Sequence, residues 1–153
     1  MKSRILTFEP EIEQIIRKCQ FCSLAMVDES GSPYVIHMNF GFKNGTVYFH
    51  SAPEGRKISV LNHNPRVCLS FSTDHLLRWQ NIEVACSYSM KYRSVLIRGE
   101  VEFIDDYAQK EDALSIIMGQ YTDEQYSYSE PAIKNVSVFK VKAQTIEARA
   151  YGY

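Results

Sequence analysis

The stretch that decides the fold is YVIHMNFGFKNGTVYFHS, residues 34–51. Two strand-like runs, Tyr34–Phe42 and Thr46–Ser51, flank Asn44-Gly45, which is a strong short-range signal for a β-hairpin. A further apolar run, Phe21–Val27, precedes them across a turn of Glu, Ser, Gly and Pro. We therefore predict a meander of three antiparallel strands, and nothing in this stretch indicates a parallel βαβ unit.

The segments on either side add strands and only occasional helices. Apolar residues at i, i+3, i+4 and i+7 from Ile12 predict a first helix opened by Pro10. A short helix is expected at Glu54–Leu61, and an amphipathic helix around Leu114–Tyr121. Strands are predicted at Arg66–Phe71, Val84–Met90, Tyr92–Ile104 and Val136–Ala150, the last with a bulge between Ala143 and Ile146, and loops at Asp74–Asn81 and Thr122–Glu130. This pattern predicts a mainly β, barrel-like domain over residues 1–153, with six to seven antiparallel strands and peripheral α-helices.

Composition excludes several classes of protein. The chain holds 17 Lys and Arg against 18 Asp and Glu, a formal net charge of −1. Sequence-independent nucleic-acid binding usually needs a basic surplus, which is missing here. We find no signal-peptide pattern and no apolar run of the 18 or more residues that suggest a membrane span. Four cysteines in 153 residues are too few for a disulfide scaffold, so we expect a cytoplasmic protein.

The run from Val47 to Ile58 carries the clearest chemistry. Ser51 and Glu54 have the spacing of a helix capping box, and Arg56 and Lys57 follow within the expected first turn. A helix start offers unpaired N–H groups and the positive end of the helix dipole. Together with two cations these groups predict a site for a phosphate monoester. The alternative is a surface helix with two solvated cations.

Four ordered stretches resemble the pyridoxamine 5′-phosphate oxidase-like family of split-barrel flavin-binding proteins, and most closely its Nim-type branch associated with nitroimidazole resistance. They are Tyr34–Phe40, Val47–Ile58, the Asn-Pro turn in Leu61–Val67, and Tyr92–Val101 with its central glycine. The likeness spans about residues 10 to 120 in order and spacing. It implies a split β-barrel that forms a homodimer with FMN at the interface.

The resemblance also assigns the cofactor-binding residues. Arg56 and Lys57 fall at the FMN phosphate, His50 and Ser51 at the ribityl chain or ring edge, and Ser94 where a polar family residue meets the cofactor. The residues implied to line the flavin, mostly through main-chain groups, are Val35, Ile36, His37, Met38, Asn39 and Phe40. The implied function is an FMN-dependent oxidoreductase that reduces nitroimidazole or nitroaromatic compounds, with His50 as the candidate for assisting proton transfer.

The chain departs from the oxidase proper in two places. Phe40 stands where the oxidase has a lysine, and the tail Glu147–Tyr153 lacks its tryptophan- and arginine-bearing ending. Both departures argue against vitamin B6 phosphate as the substrate. A rival class is a binding protein without turnover, holding FMN or another flat cofactor such as a deazaflavin or haem. Haem would need an axial ligand, for which His37, His50 and His63 are available.

Two other features have open interpretations. Cys19-Gln-Phe-Cys22 has the spacing of a redox or zinc motif, but no second ligand pair follows, so buried thiols are the default and no metal is expected. Trp79, the only tryptophan, lies in an irregular stretch. It either covers a flat substrate over the flavin or anchors the core or dimer interface.

Overall fold

We describe the protein from a computed structural model, which covers residues 2–153. Antiparallel strands dominate it, and helices lie between them. The strands are β1 (Ser3–Leu6), β2 (Cys22–Val27), β3 (Pro33–Met38), β4 (Gly41–Lys43), β5 (Thr46–Ser51), β6 (Arg66–Arg78), β7 (Ser89–Ile104), β8 (Ser137–Lys142) and β9 (Thr145–Tyr151). The α-helices are α1 (Glu9–Lys18), α2 (Arg56–His63), α3 (Tyr107–Met118) and α4 (Glu130–Lys134), and a 3₁₀ turn spans Ala85–Ser87.

The long strand β7 joins two sheets into one barrel. The order is β3-β2-β6-β7-β8-β5-β4, and β9 pairs with β7 and β1. The first part of β7 pairs with β6 and β9, whereas its last part, Val101–Ile104, pairs with β8. Because one strand serves both sheets, they enclose a common core. The predicted mainly β split barrel with peripheral helices is confirmed.

The core follows the two-residue period of the strands. Leu24, Leu69 and Ile97 come from β2, β6 and β7, and all three are fully buried. The second sheet consists of β4, β5, β8 and the last part of β7, and in it Phe49 and Phe139 stack with ring centroids 5.2 Å apart. Helix α1 buries its isoleucine face, as its periodicity predicts. Within residues 2–153 no helix has the length and apolar character to cross a bilayer.

The number of strands exceeds the prediction, with nine in the described chain instead of six or seven. Strand β1 has too short a pattern to be recognised in the sequence. The predicted strand Val136–Ala150 is two strands, β8 and β9, and the expected bulge is a sharp turn. There the amide of Ala143 donates to the carbonyl of Gly45, and the amide of Gln144 donates to that of Arg98. These bonds redirect the chain from one sheet to the other.

The predicted loop Asp74–Asn81 is wrong, because β6 continues as far as Arg78. A register shift between Thr73 and Leu76 interrupts its pairing with β7, and Asp74 adopts a positive φ of 56° there. This irregularity hides the strand period from sequence analysis. The predicted strand Val84–Met90 is also wrong, since the 3₁₀ turn occupies its centre and β7 begins only at Ser89.

Candidate functional site

The N-terminus of α2 presents unpaired amides. Its N-cap is Gly55, with φ 122° and ψ 175°, and no side chain of residues 2–153 caps the helix. The first intrahelical bond runs from the amide of Ser59 to the carbonyl of Gly55. The amides of residues 56–58 therefore lie before the first hydrogen bond of the helix and have no partner within it. The predicted capping box is wrong, because the Ser51 hydroxyl donates to the carbonyl of Ala52 at 2.8 Å instead.

Two cations belong to the first turn of this helix. The Arg56 guanidinium lies over the Tyr34 ring, 4.2 Å from its centroid, and 3.8 Å from a carboxylate oxygen of Asp28. The Arg56 side chain is 63% exposed, so it is tethered but available to a ligand. The pKa of Asp28 is lowered, chiefly by hydrogen bonds from Ser30 and Ser32 and only weakly by Arg56. The carboxylate is thus stabilised by its own turn and does not depend on the arginine.

His50 lies at the end of β5, within electrostatic reach of Lys57. Burial among protein atoms and then the Lys57 ammonium lower the pKa of its imidazole. Because the residue as a whole is exposed, we expect this shift to be modest. The structure therefore brings three sequence-predicted residues, His50, Arg56 and Lys57, to one electropositive corner of the barrel.

Strand β3 forms a free sheet edge near this corner. Its only ladder within residues 2–153 is with β2, so half of its backbone groups face away from any strand. Val35 and His37 are exposed on the outer face, whereas Met38 is buried on the inner face and Ile36 is intermediate. The His37 Nδ1 and the hydroxyl oxygen of Ser23 are hydrogen-bonded at 3.1 Å. This edge offers backbone donors and acceptors to a flat ligand.

The next two predicted residues are already engaged by Tyr121. Its hydroxyl accepts a bond from the Phe40 amide at 3.0 Å and another from the Asn39 side chain at 3.2 Å. The Phe40 ring is fully buried and packs edge-on against Phe71. A cofactor contact at Phe40 is therefore limited to its carbonyl oxygen. Tyr121 has no signal in the sequence, because its partners lie some 80 positions away in the chain.

Ser94 lies apart from the other predicted residues. It sits on β7 opposite Ser72 and Arg149. Strands β2 and β6 separate it from β3, a distance of about 14 Å across the sheet at the usual strand spacing. One chain thus does not bring Ser94 together with Arg56 and Lys57.

The cysteine motif is structural. Cys19 and Cys22 are buried as predicted. Burial raises the pKa of Cys22 to about 12, and its thiol is therefore protonated and unreactive at neutral pH. Within residues 2–153 no cluster of three or more His, Cys, Asp or Glu residues is arranged to hold a metal ion.

A large cavity lies away from the predicted site. A cavity of about 740 Å³ lies between the second sheet and α3, lined among others by Lys43, Tyr48, Asp112 and Lys140. None of the sequence-predicted residues lines it. A shallower, mostly apolar depression of about 420 Å³ lies on the outer face of β2, β3 and β6 and includes Val35. We regard the second as the better candidate because it adjoins the free edge of β3.

A barrel divided between two sheets by a shared strand, with a cationic helix start beside a free sheet edge, defines the split-barrel class of protein. The family model described as pyridoxamine 5′-phosphate oxidase matches residues 9–150. The chain therefore belongs to the pyridoxamine 5′-phosphate oxidase family. No curated protein sequence matches it.

Solved structures support the same fold. A candidate 5-nitroimidazole antibiotic resistance protein from Bacteroides thetaiotaomicron is 44% identical, with a TM-score of 0.88 over 97% of this chain and 87% of that one. A flavocytochrome from Azotobacter vinelandii is 20% identical, with a TM-score of 0.81 over 99% and 70% of the two chains. An FAD and haem binding protein from Mycobacterium smegmatis is 14% identical, with a TM-score of 0.83 over 100% and 75%. The latter two show the fold alone.

Proposed function

We propose that this protein is an FMN-binding oxidoreductase that works as a homodimer and reduces nitroimidazole or other nitroaromatic compounds. The observation that carries the proposal is the uncapped start of α2, where free amides lie in the same turn as Arg56 and Lys57 and Arg56 contacts Tyr34 on the free edge of β3. Family membership and the 44% identical nitroimidazole-resistance candidate point in the same direction.

The phosphate of FMN fits the start of α2. Its dianion would accept bonds from the leading amides and gain from the helix dipole. The guanidinium of Arg56 can grip two oxygens, and the Lys57 ammonium adds a point charge. Gly55 has a positive φ that residues with a side chain rarely adopt, and this conformation leads the chain from β5 into the first turn of α2.

The isoalloxazine ring would lie along the edge of β3. Main-chain groups of residues 35–40, apart from the Phe40 amide, would bond its polar rim, and Val35 would contact its face. The depression beside this edge is open to solvent, and one barrel covers only one side of a flat ring. A second protomer facing this edge would cover the other side and bring its own Ser94 towards the cofactor.

FMN, when bound, supplies the electron transfer that the chain's own side chains cannot perform. The protein's contribution is to bind it, to exclude water and to manage protons. His50 is the residue for the last task because it adjoins the phosphate corner, and because burial and Lys57 lower the pKa of its imidazole, which favours the neutral form that can accept a proton. Reduction of a nitro group to a nitroso group takes two electrons and two protons and releases water.

The phosphate assignment is tested by Arg56→Ala combined with Lys57→Ala. Each charge-assisted contact contributes about 1.5–3 kcal/mol, so FMN affinity should fall on the order of a hundredfold or more. The matched control is Lys43→Ala with Lys142→Ala, which removes two exposed cations from β4 and β8 and should leave affinity unchanged. If both double variants bound FMN with the same affinity, the phosphate would have to bind at another place.

The activity is tested with the purified flavin-loaded protein under anaerobic conditions. Its flavin is reduced chemically, a nitroimidazole is added, and the return of the oxidised flavin spectrum is followed. Reoxidation faster than in buffer supports the proposal. Reoxidation at the buffer rate would remove nitroimidazoles as substrates, and a flavin-loaded protein that sediments as a monomer would remove the dimer.

A second candidate is a binding protein for haem, favoured by the setting of His37. The bond between its Nδ1 and Ser23 leaves Nε2 as the remaining ring nitrogen, which is how metal-binding histidines are commonly held. The ring is exposed on the outer sheet face and meets Phe21 edge-on at 5.1 Å. The visible spectrum after reconstitution with haem, compared between wild type and His37→Gln, decides this candidate.

A further inference from the structure

The hairpin that joins β6 to β7 extends beyond the sheet and carries exposed apolar side chains. We call residues 76–90 the β6–β7 arm. Leu76, Leu77 and Arg78 pair with Lys91, Met90 and Ser89, and the chain then turns through Ala85–Ser87. Its exposed large apolar residues are Leu76, Leu77, Trp79, Ile82, Val84, Tyr88 and Met90.

Apolar side chains are exposed on both faces of the arm. Neighbouring residues in a strand point to opposite sides, and Leu76 and Leu77 are 51% and 49% exposed. Trp79 and Ile82 are exposed to 48% and 68%. Together the arm's apolar side chains leave on the order of 600 Å² open, close to the ~800 Å² per partner of a specific interface. A surface of this kind marks a binding site.

The tip of the arm is ordered by its own hydrogen bonds. The Ser87 hydroxyl donates to the carbonyl of Asn81 at 2.6 Å, and the Tyr88 hydroxyl donates to that of Ile82 at 2.9 Å. The rings of Trp79 and Tyr88 stack with centroids 5.5 Å apart and planes 21° apart. The arm thus presents a preformed aromatic pair, and binding to it would cost little ordering of the chain.

The arm extends away from the free edge of β3 in its own protomer, which is the proposed flavin-binding edge (the flavin edge). At one end of β3, Tyr34 contacts Arg56 and pairs with Met26. Met26 is next to Ala25, whose partner on β6 is Cys68, so this end of β3 lies near the start of β6. At the other end of β3, Met38 pairs with Cys22, which is next to Ser23, the partner of Ser70 on β6. This end of β3 is therefore level with Phe71. The end of β6 lies seven residues past Phe71, about 20 Å further along the strand. The tip and the edge are also two strands apart laterally.

We propose that the arm acts in trans, with the Trp79–Tyr88 pair of one protomer forming an aromatic wall of the flavin site in a second copy of this chain. This rests on the proposed function. Only another copy carries a flavin edge that this tip can meet, and the exposed Phe21 and Val35 beside that edge offer apolar surface for it. The pair would select flat aromatic substrates by stacking.

Trp79 is the only tryptophan, so its fluorescence reports the arrangement without an activity assay. Bound flavin quenches a nearby tryptophan because it absorbs at the tryptophan emission wavelengths. Two heterodimers, purified with two different tags, are compared. In the first, Arg56→Ala and Lys57→Ala lie in one chain and Trp79→Phe in the other. In the second, all three substitutions lie in one chain and the other is wild type. Each heterodimer has one tryptophan and one phosphate site.

The proposal expects FMN to quench the first heterodimer strongly and the second weakly, because only the first keeps tryptophan and flavin on opposite chains. Equal quenching, or stronger quenching in the second, would overturn it. FMN absent from both samples and from wild type would instead overturn the proposed function. As a second readout, Trp79→Ala should raise the KM for a nitroimidazole about two- to tenfold. Tyr126→Ala, with the same 48% exposure, is the control and should not.

Discussion

The guanidinium of Arg56 lies 4.2 Å above the centre of the Tyr34 ring. This contact links the start of α2 to the free edge of β3, the two parts that the proposed cofactor would bridge. Tyr34 is itself partly buried against the core. The aromatic face thus holds the cation near the site without neutralising it, and Asp28 at 3.8 Å is a looser tether.

Removal of this ring should weaken the binding of FMN. An exposed cation–π contact contributes about 0.5–1 kcal/mol, so Tyr34→Ala should lower the affinity about two- to fivefold by releasing Arg56. Tyr34→Phe keeps the aromatic face and should bind as wild type does. Titration of the flavin-free proteins with FMN, followed by flavin fluorescence, measures both. Equal losses in the two variants would show that the hydroxyl matters and the ring does not.

Gly55 should be essential for the shape of the phosphate site. Its φ of 122° is a region that residues with a side chain rarely adopt, although a Cβ at this position would have no neighbour within 4 Å. Gly55→Ala should therefore cost about 1–3 kcal/mol through backbone strain, relieved by distortion of the helix start. We expect FMN affinity to fall on the order of tenfold.

Gly45→Ala is the control for that variant. Gly45 also has a positive φ, 72°, and open space around it, but it lies in the β4–β5 hairpin away from α2. Its substitution should lower the melting temperature and leave FMN affinity unchanged. If Gly45→Ala lowered affinity as much as Gly55→Ala, general destabilisation would explain both results.

Local sequence patterns were sufficient for most of the fold. The Asn44-Gly45 hairpin and the alternation along the strands predicted the barrel, and the isoleucine spacing predicted α1. The continuation of β6 was not predictable in this way. It depends on Asp74, which accepts hydrogen bonds from Lys18 and Arg93, and these side chains lie far from it in sequence.

The candidate site was predictable in the same unequal way. Arg56 and Lys57 follow a strand directly and indicate a cationic helix start, so the sequence is enough to find them. The contact of Arg56 with Tyr34 and the locking of Phe40 by Tyr121 are long-range contacts without a spacing signal. Ser94 was placed by resemblance alone, and only the strand order reveals that it belongs to a different part of the sheet.

Gly99 should be irreplaceable for stability. It lies in β7 just before the strand passes from one sheet to the other, and a Cβ there would stand 2.5 Å from the carbonyl oxygen of Lys142 and 2.8 Å from a methyl carbon of Val141. Backbone cannot yield as a flexible side chain can, so Gly99→Ala should cost about 1–3 kcal/mol or more, as overpacking does. Urea denaturation measures the loss.

Gly119→Ala is the comparison for Gly99→Ala. Gly119 ends α3 with ordinary right-handed helical backbone, and a Cβ there would meet its nearest neighbours at 3.4 Å and 3.5 Å. We expect a change in the free energy of unfolding within about 0.5 kcal/mol, the usual range for substitutions away from special features. A Gly99→Ala variant as stable as Gly119→Ala would mean that the two sheets are not packed as closely as described.

His50 should make the flavin-free protein less stable in acid. Burial and Lys57 lower its pKa below the ordinary value of 6.5, so the unfolded chain takes up the proton at a higher pH than the folded chain does. The free energy of unfolding therefore decreases as the pH falls from above 6.5 through the lowered pKa, because protonation favours the unfolded state. His50→Gln removes this proton uptake and should lose less stability than wild type between about pH 7 and pH 5. Urea denaturation at several pH values measures the difference.

His63→Gln is the control, because His63 lies at the end of α2 and outside this contact. Wild type and His50→Gln with the same pH dependence would contradict the placement of His50 beside Lys57, and with it the electropositive corner on which the proposed phosphate site depends.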